Sequence, residues 1–210
     1  MIKYLEVRNI MPERSPSRGR PKTLDRDQVL QTALMQYWSK GPNEVAIGEI
    51  CTLTGASKPG VYREFGSDDG LKLAALDAYS HLVIRPFFEV LEHDRSFGDA
   101  QTALIDFTTQ DRAAIGIPNG CLHVAMRAQR DKLGVMTRKK VDLLRQEGLD
   151  NYAVWIEQAK SRGEFRMDIP TDIVALYFDA QNGGAMRMQT EGVSNDVIAK
   201  VMRLALMAIQ

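Results

Sequence analysis

The stretch that most constrains the fold runs from Ile47 to Phe65 and indicates two short helices joined by a tight turn. Gly55 breaks the first helix, and Ser57 can cap the second because its hydroxyl can accept from backbone N–H groups one turn on. Each helix has one apolar face, so the two faces can close on each other and leave the opposite face of the second helix free. The pattern predicts a helix-turn-helix, in which the second helix enters a DNA major groove.

The free face of the second helix carries the residues that we predict to contact DNA. Lys58 and Arg63 can donate to guanine O6 and N7, but many protein–DNA contacts go to phosphates, so both roles stay open for them. Tyr62 is expected to donate its hydroxyl to a phosphate. Glu64 is expected to pair with a neighbouring side chain rather than to accept from a cytosine. The predicted DNA-binding residues on this helix and its cap are Ser57, Lys58, Pro59, Gly60, Tyr62 and Arg63.

Residues 1–22, ahead of this unit, are expected to be a disordered arm, because they hold three prolines, many charges and little periodicity. The arm carries six basic side chains against two acidic ones, although the formal net charge of the chain is zero. Arg18, Arg20 and Lys22 are predicted to lie in a DNA minor groove, where arginines are favoured. A solvated basic tail is the alternative.

Composition excludes several other classes of protein. The chain is 44% hydrophobic and 26% charged, as is usual for a soluble globular protein. Cys51 and Cys121 belong to no CxxC or Cys/His cluster, so we expect neither a disulfide framework, a metal site nor a cofactor. No apolar run approaches the ~20 residues needed to span a bilayer, and no signal peptide is evident, so we expect a cytoplasmic protein with no membrane partner. The sequence leaves open whether Met1 or Met11 is the true start.

Helical periodicity dominates the rest of the chain, and no stretch shows the alternation of a strand. The sequence therefore predicts an all-α fold of about nine helices. Pro86 is expected to end or kink the helix that Ser67 caps. The other helices are predicted from a cap at Asp25 to Gly41, from Ser96 to about Ala114, from Cys121 to about Ala128, from Leu133 to Arg162, from Thr171 to about Thr190 and from Ser194 to Ile209.

The order of motifs is specific over residues 18–79. It comprises the lead-in Gly19-Arg20-Pro21-Lys22, then Ala33-Leu34, Ile47-x-x-Ile50, Gly55-Ala56-Ser57-Lys58, Val61-Tyr62-x-x-Phe65 and Leu71. This combination resembles the TetR family of bacterial transcriptional regulators. A weaker resemblance covers the second half, through Gly120-Cys121-Leu122, Ala159-x-x-x-Gly163-Glu164, Asp168 and Gly183-Gly184.

The resemblance implies a dimer that binds a palindromic operator in double-stranded DNA and leaves it when a small-molecule inducer enters the C-terminal half. It implies a basic arm over 1–22, a helix-turn-helix domain over 23–70 and a helical ligand-binding and dimerisation domain over 71–210. Two residues depart from the family pattern: Asp68 stands where a phosphate-binding Lys is usual, and Ala46 where a capping Ser or Thr is usual. The inducer, the operator, the regulated genes and the choice between repression and activation stay open.

Apolar and amphipathic residues of the second half are candidates to line a ligand cavity between helices. Each of them also fits ordinary core packing. The last two helices are the candidate dimer surface, where Gly183, Gly184 and Ala185 would allow close approach; an intramolecular core is the alternative. The candidate cavity residues are Phe87, Phe88, Phe107, His123, Met126, Trp155, Tyr177 and Phe178.

The residues also bear on a sensing role for Cys121 and on an enzymatic function. Cys121 begins a predicted helix, where the helix dipole favours a thiolate, so a repressor that senses oxidants or electrophiles is one alternative and a buried, inert thiol is the other. An all-α enzyme would need paired carboxylates or two Glu/His sets on facing helices. Glu89 and His93 form no such set, and the chain has no phosphate-binding glycine loop, so we predict no catalytic residues and no enzymatic activity.

Overall fold

Helices make up all the regular secondary structure of the computed structural model, which describes residues 24–91 and 95–209. Nine helices are seen in these residues when α4, a π-turn and α5, whose backbone stays right-handed throughout, are counted as one. The all-α prediction is thereby confirmed. The elements are α1 (Arg26–Lys40), α2 (Ile47–Thr54), α3 (Lys58–Phe65), α4 (Asp68–Tyr79), the π-turn (Ser80–Ile84), α5 (Arg85–Glu89), α6 (Phe97–Thr108), α7 (Leu122–Ala128), a 3-10 turn (Arg130–Lys132), α8 (Val135–Ser161), α9 (Thr171–Thr190) and α10 (Asn195–Met207).

Side-chain caps mark the starts of α1, α3 and α4. Asp25, Ser57 and Ser67 each accept a hydrogen bond from the backbone N–H three residues on, at 3.0, 3.2 and 3.0 Å. Gly55 ends α2 at φ 70°, a left-handed conformation that favours glycine. Ala46 makes no side-chain cap. These contacts confirm the predicted starts of α1, α3 and α4 and the uncapped start of α2.

Two predicted helices differ from the observed ones. The helix predicted to reach Ala114 ends at Thr108, because Asp111 accepts from the Ala114 N–H and starts a separate turn. The helix expected to end or kink at Pro86 does not end there, because it continues to Glu89 through the π-turn that precedes the proline. A wider turn accommodates a residue that lacks an N–H and whose ring would clash with the carbonyl four residues back.

The buried side chains form two hydrophobic clusters. One joins α1–α4 to α7 and the first half of α8, and the other joins α5, α6, the second half of α8, α9 and α10. Leu71, Ala75 and Leu76 of α4 lie in the first cluster with α1. The predicted domain boundary at residue 70 therefore falls inside α4 and does not separate the two clusters.

Asp69 ties the start of α4 to the start of α8. Its carboxylate accepts from the backbone N–H groups of Met136 (2.9 Å) and Thr137 (3.1 Å) and from the Thr137 hydroxyl. A side chain at Gly134 would lie 2.2 Å from that carboxylate, so this close approach requires glycine. Burial alone would raise the pKa of Asp69, but the hydrogen bonds from Thr137 and Met136 and the charge of Lys72 lower it overall.

Candidate nucleic-acid interface and ligand cavity

The exposed face of α3 carries two cations, Lys58 and Arg63. Lys58, Tyr62 and Arg63 are exposed, whereas Val61 is fully buried against the other helices of the unit. The Lys58 ammonium lies 5.7 Å from the centroid of the Tyr62 ring. Neither Lys58 nor Arg63 is paired with a carboxylate of residues 24–91 or 95–209. This face therefore presents uncompensated positive charge to solvent.

The expectation that Gly60 lies on the free face of α3 is wrong. Gly60 is buried, and a Cβ there would lie 3.0 Å from Ser57 Oγ and 3.6 Å from Leu24 Cδ1. The reason is tertiary, because Leu24 precedes α1 in the chain and packs over the first turn of α3. Pro59 and Ser57 stay exposed, with Ser57 serving as the helix cap.

Acidic residues around α3 are paired with basic neighbours. Arg26 Nε lies 2.9 Å from the Glu64 carboxylate, and the Arg26 guanidinium lies 5.4 Å from the centroid of the Phe65 ring. The expectation that Glu64 pairs within the protein is confirmed. Asp68, the departure from the family pattern, accepts from Lys72 Nζ at 2.7 Å, which offsets its negative charge.

The predicted arm lies outside the described residues. Arg18, Arg20 and Lys22 precede Leu24, the first residue that the structure describes, so their contact with DNA stays a prediction. Leu24, Ser57 and Arg63 border a surface groove between the start of α1 and α3. Leu24, the first described residue, thus lies beside the surface of α3.

A cavity of about 60 Å³ lies between α4, α5 and the helices α6–α9. It is lined by four of the eight predicted cavity residues: Phe87, Phe88, Phe107 and His123. The other four belong to packed regions instead: Met126 to the first hydrophobic cluster, and Trp155, Tyr177 and Phe178 to the second. Tyr177 also donates its hydroxyl to the Ala205 carbonyl at 2.7 Å. Periodicity marks the buried face of a helix, but it does not tell a cavity from a packed core.

Polar residues that the sequence analysis missed also line the cavity. Arg112 lies in the turn after α6 and is only 3% exposed. Arg127 forms a bidentate ion pair with Asp179, at 2.7 and 2.8 Å. Asn182 accepts from the Thr108 hydroxyl at 3.3 Å. No sequence signal marked Arg112, because its segment was predicted to continue the helix of α6.

Two bacterial repressors are similar to this chain in sequence. Over 63 residues, 30% of the chain, it is 41% identical to the HTH-type transcriptional repressor ComR of Escherichia coli (strain K12), covering 30% of that protein. Over 104 residues, half of the chain, it is 26% identical to the HTH-type transcriptional repressor BdcR of the same strain, covering 53%. The chain thus matches about half the length of these relatives or less. No protein-family model matches it.

The fold has close structural counterparts. The TetR family transcriptional regulator CifR, as a cysteine mutant complexed with 26-bp operator DNA, superposes with a TM-score of 0.77 over 91% of this chain and 100% of its own, at 23% identity. The chain has the TetR-family fold. In this fold α1–α3 form the helix-turn-helix unit and the remaining helices form the body.

The last two helices of the TetR-family fold expose an apolar surface. Val197, Val201 and Leu204 lie on one side of α10 and are 47%, 42% and 71% exposed, while the opposite side of α10 packs into the body. Ile173 and Leu176 of α9 are also exposed. These five residues are called the α9–α10 face below.

The predicted close approach at the dimer surface needs one correction. Ala185 is fully buried, so it belongs to the core and not to the α9–α10 face. A Cβ at Gly183 or Gly184 would meet nothing within 4 Å. The difference arises because successive residues of a helix point about 100° apart, which carries Ala185 round to the side of α9 that faces the body.

His123 is a buried, neutral side chain of the cavity wall. Its Nε2 lies 3.0 Å from the Val141 carbonyl oxygen, and since a carbonyl only accepts, Nε2 carries the hydrogen. Burial lowers the pKa of His123 from 6.5 to about 4, although the hydrogen bond to Val141 acts in the opposite direction.

We expect His123 to make the stability of the protein fall at mildly acidic pH. Its unfolded-state pKa of 6.5 exceeds the folded value of about 4, so the unfolded chain takes up a proton first as the pH falls through this range. The free energy of unfolding should therefore drop by about 2 kcal/mol between pH 7.5 and pH 5 from this group alone. Urea unfolding of His123→Gln should lack this drop. His81→Gln is the control, because His81 is exposed, and it should keep the drop in the free energy of unfolding. Loss of the drop in His81→Gln as well would contradict the assignment to His123.

Cys121 caps α7 and borders the cavity. Its Sγ accepts from the Val124 N–H at 3.5 Å, and the side chain is half-buried. Its role as a sensor stays a prediction.

In residues 24–91 and 95–209 no three His, Cys, Asp or Glu side chains are grouped so that they could hold a metal ion. Among the helices described, none has the length and apolarity needed to cross a membrane.

Proposed function

We propose that the protein is a DNA-binding transcriptional repressor that binds a palindromic operator as a homodimer and is released by a small-molecule inducer. The observation that carries the proposal is the exposed face of α3, the second helix of a helix-turn-helix, where Lys58 and Arg63 have no carboxylate partner among the described residues. Such a helix is the element that enters the major groove. The names of ComR and BdcR as repressors, and the operator complex of CifR, support the same function.

The contacts with DNA are proposed to come from α3 and the arm. Lys58 and Arg63 supply donors for base edges or phosphates, and Tyr62 supplies a hydroxyl. Ser57 and Pro59 shape the first turn of α3 beside them. Arg18, Arg20 and Lys22 would add contacts in the minor groove.

The dimer is proposed to form through the α9–α10 face. Five exposed apolar side chains on the last two helices favour burial against a partner, which is expected to cover them. Two-fold pairing of these helices would make a four-helix bundle. The dimer would then present two α3 helices, one for each half-site, and two symmetry-related half-sites make a palindromic operator.

The cavity is proposed to receive the inducer. It borders α4, which also packs against α1 of the helix-turn-helix unit, so a ligand there can alter the placement of α3. The protein would act in the cytoplasm, where bacterial DNA lies, as a regulator and not as an enzyme. The cavity residues proposed are Phe87, Phe88, Phe107, His123 and Arg112.

The test begins with selection of DNA. Full-length protein is incubated with fragmented DNA of the source genome, and the bound fragments are sequenced. We expect enrichment of a short inverted repeat upstream of one or a few genes. Failure to enrich any sequence would contradict the proposal.

Substitutions on α3 then test the interface. Lys58→Ala and Arg63→Ala should each weaken binding to the selected duplex about 10- to 100-fold, since one specific contact contributes ~1–3 kcal/mol. Fluorescence anisotropy measures this loss. The control is Arg166→Ala, beyond the far end of α8, a helix that spans roughly 40 Å. If Arg166→Ala weakens binding as much as the α3 variants do, the interface is misplaced.

A further inference from the structure

Arg112 is a buried cation with no anionic partner in the part of the chain that the structure describes. Its side chain lines the cavity, yet the residue is only 3% exposed. Nε and Nη1 make no hydrogen bond, and Nη2 has only the sulfur of Met186, a weak acceptor, at 3.6 Å. No carboxylate of residues 24–91 or 95–209 forms an ion pair with it. Burial of an unpaired charge is costly, so this arrangement calls for an anion that the described protein does not supply.

Two other arginines line the cavity and differ from Arg112 in having a carboxylate partner. Arg127 donates to both oxygens of Asp179, and Arg145 lies 3.7 Å from the same carboxylate. Arg127 and Arg145 thus share one carboxylate, whereas Arg112 has none among the described residues. Arg112 has the free donors, and it is the most buried of the three.

The rest of the cavity wall defines the body of the ligand. Phe87, Phe88, Phe107 and Tyr152 meet edge-to-face, with ring centroids 5.0 to 6.4 Å apart. Aromatic walls of this kind favour a flat, apolar molecule. Asn182 adds a neutral amide to the wall. The space of about 60 Å³ is smaller than the ~150 Å³ cavity in which a benzene ring is held, so a ring enters only if the side chains of the wall move apart.

We propose that the cavity binds a small aromatic carboxylate whose anionic group pairs with Arg112. A guanidinium binds carboxylates with strong, charge-assisted hydrogen bonds, and the aromatic walls hold the ring. This proposal assigns a chemical class to the inducer. That the ligand regulates DNA binding rests on the proposed function, whereas binding of the ligand to the cavity does not.

Arg112 also offers a route from the ligand to the helix-turn-helix unit. Its guanidinium lies 5.8 Å from the centroid of the Trp38 ring on α1. Trp38 donates Nε1–H to the Gly120 carbonyl at 3.2 Å and meets Tyr79 edge-to-face at 4.8 Å. An anion beside Arg112 competes with the Trp38 ring for the guanidinium. Ligand binding thereby changes a contact that holds α1 against the body.

The test measures binding of matched charged and neutral probes without DNA. Benzoate and cinnamate are compared with benzamide and cinnamamide by isothermal titration calorimetry on the full-length protein. We expect each carboxylate to bind wild type at least tenfold more tightly than its amide. Arg112→Gln should bring this ratio close to one, and Arg112→Lys, which keeps the charge, should retain part of it.

Controls separate a binding role from a structural one. Arg145→Gln, on the cavity rim, should keep the carboxylate preference, and thermal melting shows whether each variant is folded. The proposal is overturned if no carboxylate binds wild type, if amides bind equally well, or if folded Arg112→Gln keeps the preference. Because no DNA is present, failure to find an operator would overturn the proposed function and leave this result intact.

Discussion

Replacing Leu204 with glutamate is expected to convert the proposed homodimer to monomers and to remove most binding to the proposed operator. Leu204 is 71% exposed and is the last of the three apolar residues that α10 contributes to the α9–α10 face. At a two-fold interface one substitution places a carboxylate on both chains, and burying an unpaired charge costs several kcal/mol. A monomer engages only one half-site, so affinity should fall by on the order of 10²–10⁴-fold.

Sedimentation velocity at micromolar concentration measures the change of mass, and anisotropy with the selected duplex measures the loss of affinity. Leu143→Glu is the matched control, because Leu143 is a half-exposed leucine on α8, outside the α9–α10 face. It should leave both readings unchanged. Dissociation by both variants, or a Leu204→Glu dimer of full affinity, would place the interface elsewhere.

Replacing Asp69 with alanine should lower the free energy of unfolding by about 2–4 kcal/mol. The substitution removes a carboxylate that accepts three hydrogen bonds from Met136 and Thr137, and it leaves backbone donors at the start of α8 without partners. The matched control is Asp77→Ala, which removes a partly exposed ion pair between the same two helices, from Asp77 to Lys140 at 2.9 Å. Such a pair contributes less than about 1 kcal/mol, so urea unfolding should separate the two variants clearly.

The effect of Asp69 should depend on pH in a defined direction. Its folded pKa is lower than the unfolded value of 3.8, so the unfolded chain binds the proton first on acidification. The stabilisation is complete above pH 3.8 and is lost as the pH falls through the lower folded pKa. The difference between wild type and Asp69→Ala should thus be constant from pH 5 to pH 7 and shrink below pH 4. A difference that grows on acidification would contradict this role.

Local structure followed from the sequence wherever a few neighbouring residues decide it. Asp25, Ser57 and Ser67 predicted helix starts because each side chain reaches a backbone N–H three residues on, a contact that needs no tertiary partner. The helix-turn-helix was predicted for the same reason. Apolar spacing alone predicted too long a helix before Asp111, whose side chain accepts from the Ala114 N–H and belongs to a separate turn.

Tertiary structure decided which side chains share a surface. Leu24 covers Gly60, and Ala185 turns into the body, although both had been placed on free faces. Helical spacing gives the side of a helix on which a residue lies, but the neighbour on that side comes from distant parts of the chain. The sequence by itself determined the helices and the exposed basic face of α3. Only the packing of α4 to α9 decided that Arg112 would be buried beside an aromatic cavity, because a charge in an irregular turn has no periodicity that predicts its burial.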